Sequence, residues 1–471
     1  MNAQDAGAIV SPAELGRVHF IGIGGAGMSG IARIMLSRGI AVSGSDAKES
    51  VAADVLRGLG AQVSIGHDPA HLGEAETVVV SSAIREDNPE LAEARSRNLR
   101  VIHRSAALAS LMLGRRAIAI AGTHGKTTTT SMTTVALQHC GIDPSFAIGG
   151  VLSASGANAQ DGTGDVFVAE ADESDGSFLL YTPTVGVITN VEADHLDHYG
   201  SAEAVVQAFD AFCLRVRDTT GGTVVACGDD AGARDVAERA RAAGVDVLLY
   251  GTGEDCDVRV VDLGSSSTGA TFGLVVGGLR IGEVELQQPG AHNALNAAAA
   301  FSVGHLLGLP SERVLAGLAL FGGTRRRFEL RGEARGVRVY DDYAHHPTEV
   351  TAVLKAARGV LAPGGRVIAV FQPHLYSRTL AFTEEFARAL SLADHVVVLD
   401  IYAAREDPVP GVTGAVIADR VDLPEDRRHF QPSFLNAAGQ VAGLAQPGDV
   451  VLTIGAGDVT VLGPEILKAL G

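Results

Sequence analysis

The sequence predicts an α/β chain divided into three domains, each built on a parallel sheet with crossover helices. Short apolar runs alternate with helix-like segments along the whole chain, the pattern of repeated strand–helix–strand units. Glycine turns follow predicted strands at Gly22-Ile-Gly-Gly-Ala-Gly27, at Gly122-Thr-His-Gly125 and at Gly455-Ala-Gly-Asp458. The 471 residues exceed what one hydrophobic core holds, and the expected divisions are residues 1–111, 112–322 and 323–471.

Composition bounds the function. Hydrophobic residues make up 46% and charged residues 20%, so the chain is globular without long disordered tails. The net charge of −18 disfavours a nonspecific grip on nucleic acid or on an anionic membrane, and neither is expected as a partner. Cys140, Cys213, Cys227 and Cys256 lack metal or redox spacing, which suits packing roles in a reducing compartment. No leader and no bilayer-length apolar run is visible, so a cytoplasmic location is expected.

The first ten or so residues are small and polar and are expected to be loose. Val18–Ile21 then reads as a strand, Met28–Arg38 as a helix, and Ala41–Ser45 as a strand ending at Asp46. Gly22, Gly24 and Gly27 match G-x-G-x-x-G, with an acid at a dinucleotide-fold distance. Strands near Gln62–Ile65 and Thr77–Ser81 alternate with helices Ser50–Leu59 and Pro89–Arg97. Two ligands suit this fingerprint, NAD and a nucleotide sugar, because both need backbone close to a diphosphate. Alone it favours NAD; a second phosphate loop further on shifts the balance.

That loop is Gly122-Thr123-His124-Gly125-Lys126-Thr127-Thr128, between the apolar strand starting at Arg116 and a helix over Thr127–Cys140. The turn aims backbone N–H groups at one point, and the helix N-terminus adds its positive dipole end. Lys126 supplies a full charge, and Thr127 a hydroxyl able to ligate Mg²⁺. Ile120 stands where the first glycine of the longer G-x-x-x-x-G-K-[ST] motif would be, so this is a shortened form. A mere connecting turn does not explain why glycines, lysine and a threonine run coincide there.

Two more loaded strand ends are expected at the same rim. Asp165–Glu170 runs into Ala171-Asp-Glu-Ser-Asp-Gly176, and Thr184–Asn190 into Val191-Glu-Ala-Asp-His-Leu-Asp-His198. Glu170 can hold a metal, and so can the neutral imidazole of His195, although Mg²⁺ prefers oxygen. The other acids nearby are expected to be solvated turn residues or partners of the ligands. Asp257–Leu286 alternates like short hairpins, and Gly290–Leu307 opens an alanine-rich helix. Asn293 and Asn296, three apart, share one of its faces and can read both edges of adenine; the alternative is an N-cap with a polar neighbour. Phe321–Phe328, with paired glycines and concentrated charge, reads as an interdomain hinge. The last part alternates again, with strands Arg338–Asp341, Arg366–Phe371, His395–Asp400 and Val450–Ile454.

G-T-H-G-K-T-T, E-A-D-E-S-D, N-V-E-A-D-H-L-D, H-N-A-L-N-A, D-D-Y-A-H-H-P-T-E and Q-P-H-x-x-S-R-T, in that order, resemble the Mur ligases. The opening Gly22-Ile-Gly-Gly-Ala-Gly-Met28 is similar to the branch that adds the first amino acid. The resemblance implies a Rossmann-like UDP-substrate domain, a central P-loop ATPase domain and a Rossmann-like C-terminal domain. It implies ATP, Mg²⁺ and joining of L-alanine to the carboxylate of UDP-N-acetylmuramate through an acyl phosphate. On its motifs Lys126 and Thr127 hold ATP and metal, together with Gly122, Thr123, His124, Gly125 and Thr128. Glu170 and His195 are metal ligands. His292, Asn293 and Asn296 meet adenine, and Arg327 and Asp342 reach ATP. Tyr343, His345 and Arg378 line the alanine site, with His345 a candidate base. Gly22, Gly24, Gly25, Ala26, Gly27 and Met28 contact the nucleotide sugar, with Ser45 and Asp46 candidates for its uracil. Later-acting relatives carry a carbamylated lysine where this chain has Phe209, a departure shared by the alanine-adding branch. Competing readings are a peptide-reattaching ligase of the family, an NAD-dependent dehydrogenase and a non-catalytic nucleotide-binding regulator. A monomer or homodimer is expected.

Overall fold

Three sheets, one parallel and two mixed, carry the architecture. The computed structural model describes residue 7 and residues 9–265, 269–404 and 406–471. The expectation of a loose N-terminus falls, for residues 1–6 and 8, outside the described residues. The chain forms two compact units: residues 1–261, 273–283 and 295–321, and residues 262–272, 284–294 and 322–471. The long C-terminal run starts at Gly322, inside the segment expected to be a hinge.

The first sheet of the first unit holds β1 (Val18–Ile21), β2 (Val42–Asp46), β3 (Gln62–Ile65), β4 (Thr77–Val80) and β5 (Arg100–His103). Its order is β3-β2-β1-β4-β5, all parallel. The order reverses between β1 and β4, which opens a crevice beyond their carboxyl ends. The helix Ala26–Ser37 begins there, two residues before the expected start, with Gly25 as its N-cap.

The second sheet of this unit holds β6 (Arg116–Ala121), β7 (Ser145–Ala147), β8 (Ala159–Gln160), β9 (Val166–Glu170) and β10 (Val185–Ile188). It continues with β11 (Thr223–Cys227), β12 (Asp246–Gly251), β13 (Val258–Ser265), β14 (Ala270–Val276) and β15 (Leu279–Glu285). The order is β15-β14-β13-β12-β11-β10-β6-β9-β7-β8, and the far ends of β13, β14 and β15 belong to the second unit. Strand β6 lies between β10 and β9, parallel to both. Its Ile118 and Ile120 are fully buried, each stabilising the fold by about 1.5–3 kcal/mol.

The helix Lys126–His139 is threonine-rich, which ordinarily weakens a helix. Here Thr130, Thr133 and Thr134 donate to the carbonyls four residues back, each at 2.8 Å. The buried hydroxyls are thereby satisfied. The helix Ser311–Ala319 packs closely on it: a Cβ at Gly317 would lie 2.8 Å from Ala136 Cα.

The second unit holds β16 (Glu329–Ala334), β17 (Val337–Asp342), β18 (Val367–Phe371), β19 (His395–Val398), β20 (Arg428–Phe430) and β21 (Val450–Ile454). Their order is β16-β17-β21-β18-β19-β20, with only β16 antiparallel to its neighbour. Along β18, Val367, Ala369 and Phe371 feed one core and Ile368 and Val370 the other, the two-residue period of a strand covered on both faces. All four cysteines are free and buried. Among the described residues no helix is long and apolar enough to cross a membrane.

Candidate active site

Strand order assembles the main site. With β6 between β9 and β10, the loops after all three carboxyl ends meet at one rim. The phosphate loop leaves β6 at Gly122, whose φ is +130°, and enters the helix through Gly125 at +80°. A side chain fits at neither position: a Cβ on Gly122 would stand 2.0 Å from Thr189 Oγ1, and one on Gly125 2.8 Å from Asn296 Oδ1. The loop is pinned from β10. His124 N–H donates to Asn190 Oδ1 at 2.7 Å, and the His124 carbonyl accepts from Thr189 Oγ1 at 2.5 Å and Asn190 Nδ2 at 3.0 Å. Thr123 Oγ1 accepts from Glu192 N–H at 2.9 Å. The helix starts at Lys126, one residue before the expected position, because left-handed Gly125 serves as its N-cap.

Lys126 Nζ donates to the Gly122 carbonyl at 2.7 Å and lies 2.8 Å from Glu173 Oε2. Burial works against the lysine's charge, but Glu173, Asp172 and Glu170 outweigh it and raise its pKa, so it stays cationic. Glu173 is 2% exposed, a buried partner of the lysine rather than a solvated turn residue. Burial pushes its carboxyl up to about 7, with Lys126 opposing and Asp172 adding. Thr127 Oγ1 donates to Glu170 Oε1 at 3.0 Å, and Gly149 N–H holds Oε2 at 2.7 Å. Thr128, the next loop residue, is partly exposed. His195 adopts a left-handed conformation, φ +55°, in which Nε2 stands 3.7 Å from Glu173 Oε1. Such backbone is sparsely populated outside glycine and concentrates at functional sites.

Asp172, expected as a turn residue or a partner of the ligands, has a partner that the sequence did not indicate. Arg104, which opens the helix Arg104–Met112, donates to Asp172 Oδ2 at 2.8 Å. Burial would raise the Asp172 pKa, but Arg104 and Lys126 outweigh it and hold the carboxyl well below the usual range. Only a pairing between residues far apart in sequence reveals this, so no local signal pointed to it. Phe209, at the carbamylated-lysine position, is fully buried and packs edge-on against Phe178 at 5.5 Å.

At the glycine fingerprint, Gly22 and Gly24 turn the chain out of β1, and Gly25, Ala26, Gly27 and Met28 begin the helix. Asp46 Oδ2 accepts from Gly24 N–H at 2.8 Å, so it braces the turn. Ser45 is fully buried, and its hydroxyl donates to Glu90 Oε2 at 2.5 Å.

Asn296 accepts from Thr129 Oγ1 at 3.1 Å, beside the phosphate loop, and Asn293 Nδ2 donates to the Pro289 carbonyl at 2.7 Å. The second unit collects the remaining candidates. His292 lines a cavity of ≈520 Å³ with Thr348, Thr351 and Lys355, and burial lowers its pKa to about 4. Asp342 accepts from Phe328 N–H at 2.7 Å and Ala344 N–H at 2.8 Å, and burial, opposed by Arg327, raises its pKa to about 6. The guanidinium groups of Arg326 and Arg327 stack over the Tyr343 ring at 4.8 and 5.2 Å. His345 meets Tyr343 edge-on at 5.3 Å. Burial outweighs Glu349 and lowers the His345 pKa to about 4, which makes it neutral but a weak base for an ammonium group. Arg378 sits on the short helix Tyr376–Ala381 and contributes to that depression.

A phosphate loop with a buried lysine, beside an oxygen-rich strand end, defines a nucleotide-dependent phosphoryl-transfer protein. Family models match three consecutive parts of the chain: Mur ligase family, catalytic domain, over residues 17–116; Mur ligase middle domain over 120–304; and Mur ligase, glutamate ligase domain, over 326–457. The chain belongs to the Mur ligase family. It is 58% identical, over 97% of its length and 93% of the relative's, to a UDP-N-acetylmuramate–L-alanine ligase of Saccharopolyspora erythraea. A protein of the same name from Kineococcus radiotolerans is 57% identical, covering 100% of this chain and 99% of its own. The crystal structure of UDP-N-acetylmuramate-alanine ligase from Thermotoga maritima matches with a TM-score of 0.80 at 29% identity, covering 96% of this chain and 99% of its own. A murein peptide ligase from Psychrobacter arcticus matches at 0.69 and 26%, covering 97% and 98%.

Proposed function

We propose that this chain is an ATP-dependent ligase joining L-alanine to the carboxylate of UDP-N-acetylmuramate, a step of peptidoglycan precursor synthesis. The observation that carries this reading is the largely buried, cationic Lys126 at the N-terminus of the helix that follows the glycine loop, beside the Thr127–Glu170 pair. Phosphoryl transfer needs positioning and positive charge more than covalent chemistry. Lys126 and the loop amides stabilise charge spreading over the γ-phosphate oxygens of ATP while the substrate carboxylate attacks. The product is an acyl phosphate; the alanine amine then attacks its carbonyl, an amide forms and phosphate leaves.

The donor set suits a divalent cation. Thr127 Oγ1 and Glu170 Oε1 converge at 3.0 Å, and such hard oxygens are what Mg²⁺ takes. They would hold it together with His195, and the cation supplies Lewis-acid charge to the phosphoryl oxygens when bound. Phe209 lies in an apolar core, so the negative charge at the rim comes from Glu170, Asp172 and Glu173 instead. In the second unit, Arg378 offers a bidentate fork to an amino-acid carboxylate, and Tyr343, against which two guanidinium groups pack, limits the side chain to a methyl. Neutral His345 accepts a hydrogen bond there rather than removing a proton.

The relatives at 57–58% identity, both named alanine ligases, support alanine over a peptide as acceptor, and a nucleotide sugar over NAD as the ligand of the first fingerprint. Phosphate release measured over a panel of UDP-sugars and amino acids tests this. Release should require UDP-N-acetylmuramate and L-alanine together. Far better use of glycine, serine or a tripeptide would defeat the acceptor assignment.

A further inference from the structure

We propose that Arg104 binds the diphosphate of the nucleotide-sugar substrate, an assignment that rests on the function proposed above. A cavity of ≈350 Å³ in the first unit runs from Gly25–Met28 and Ser81–Ala83 to Glu170 and Asp172. It therefore joins the crevice beyond β1 and β4 to the phosphate rim. Such a cavity suits a ligand with a diphosphate at one end and a reacting carboxylate at the other.

The charges in its wall are unequal. Among the described lining residues Arg104 is the one cation, against the acids Glu170 and Asp172. A diphosphate brings further negative charge into this space. Gly25 caps the helix Ala26–Ser37 without a side-chain hydrogen bond, and the dipole of that helix supplies only about half a charge. The one full positive charge in this lining is that of Arg104.

The geometry separates the two hands of the guanidinium. Nη2 donates to Asp172 Oδ2, the one hydrogen-bond partner of this side chain among the described residues. Nη1 lies beside the first helical turn: a Cβ on Gly27 would stand 3.2 Å from it. Gly27 thus leaves room for the guanidinium next to the backbone expected to meet the diphosphate. Asp172 fixes one side of the fork, and the other remains available for a phosphate oxygen. The reacting carboxylate belongs at the far end, near Glu170.

The test is calorimetric binding to the full-length chain, without ATP, of UMP, UDP and UDP-N-acetylmuramate. Arg104→Ala should weaken UDP and UDP-N-acetylmuramate alike, by about 10- to 100-fold, the range for losing one charge-assisted hydrogen bond. UMP, which lacks the second phosphate, should change by less than about threefold. Should Arg104→Ala not fold, judged by circular dichroism, Arg104→Gln decides, because it keeps a donor for Asp172 while removing the charge. A loss confined to UDP-N-acetylmuramate would overturn the proposal in favour of carboxylate recognition. Unchanged affinities with a lowered unfolding midpoint would reduce Arg104 to a structural ion pair. UDP binding that depends on Arg104 in a wild-type chain releasing no phosphate would count against the ligase reading alone.

Discussion

Replacing Lys126 with alanine separates what this lysine does for stability from what it does for catalysis. Its side chain is 14% exposed and that of Glu173 is 2% exposed, with 2.8 Å between Nζ and Oε2. Removing one partner of a buried ion pair leaves the other uncompensated, which costs about 3–5 kcal/mol. The Gly122 carbonyl, at 2.7 Å from Nζ, also loses its donor. Loss of one preorganised electrostatic group lowers turnover by about 10²–10³-fold. Adding Glu173→Gln to Lys126→Ala removes the stranded carboxyl charge, so the double variant should regain all but about 1 kcal/mol of the lost stability. It should regain none of the turnover, because the lysine's own charge at the transferring phosphoryl group is still missing. Urea unfolding and phosphate release on wild type, both single variants and the double variant form a complete cycle. Near-normal turnover in Lys126→Ala would refute the assignment of this loop to ATP. Turnover recovered in the double variant would show that the lysine only neutralises Glu173.

Three other perturbations follow from the same structure. Gly125→Ala forces a side chain into φ +80°, which costs about 1–2 kcal/mol, and drives a methyl against Asn296 Oδ1, so nucleotide affinity and the unfolding midpoint should fall together. Phe209→Ala should destabilise by about 3–5 kcal/mol in urea unfolding, because it empties a fully buried site against Phe178. Burial favours protonation of Glu90, but the nearby His19 imidazole and hydrogen bonds from Ser45 and His71 outweigh it and hold its pKa at about 2, well below the usual 4.5. That stabilisation, of about 3 kcal/mol, is complete above pH 4.5 and disappears as pH falls towards 2. Glu90→Gln cannot titrate, so the stability gap between wild type and variant should shrink over that interval; a pH-independent gap would contradict it.

Local patterns along the chain determined each piece of the site, and the placing of ligands beyond strand ends predicted a shared rim, but not which side chains pair there. Apolar runs ending in glycine mark β1 and β6 because left-handed and tightly approached backbone excludes side chains, as at Gly122 and Gly125. The Gly-Lys-Thr junction and the acids after β9 were legible for the same local reason. The burial of Glu173 and the Arg104–Asp172 pair were not, because each depends on contacts between segments distant in sequence. Periodicity and turn chemistry are properties of neighbouring residues, and they determined the elements, the α/β class and the phosphate loop. Strand pairing is non-local: only the tertiary structure set β6 between β9 and β10, and so brought Lys126, Glu173 and His195 to one rim.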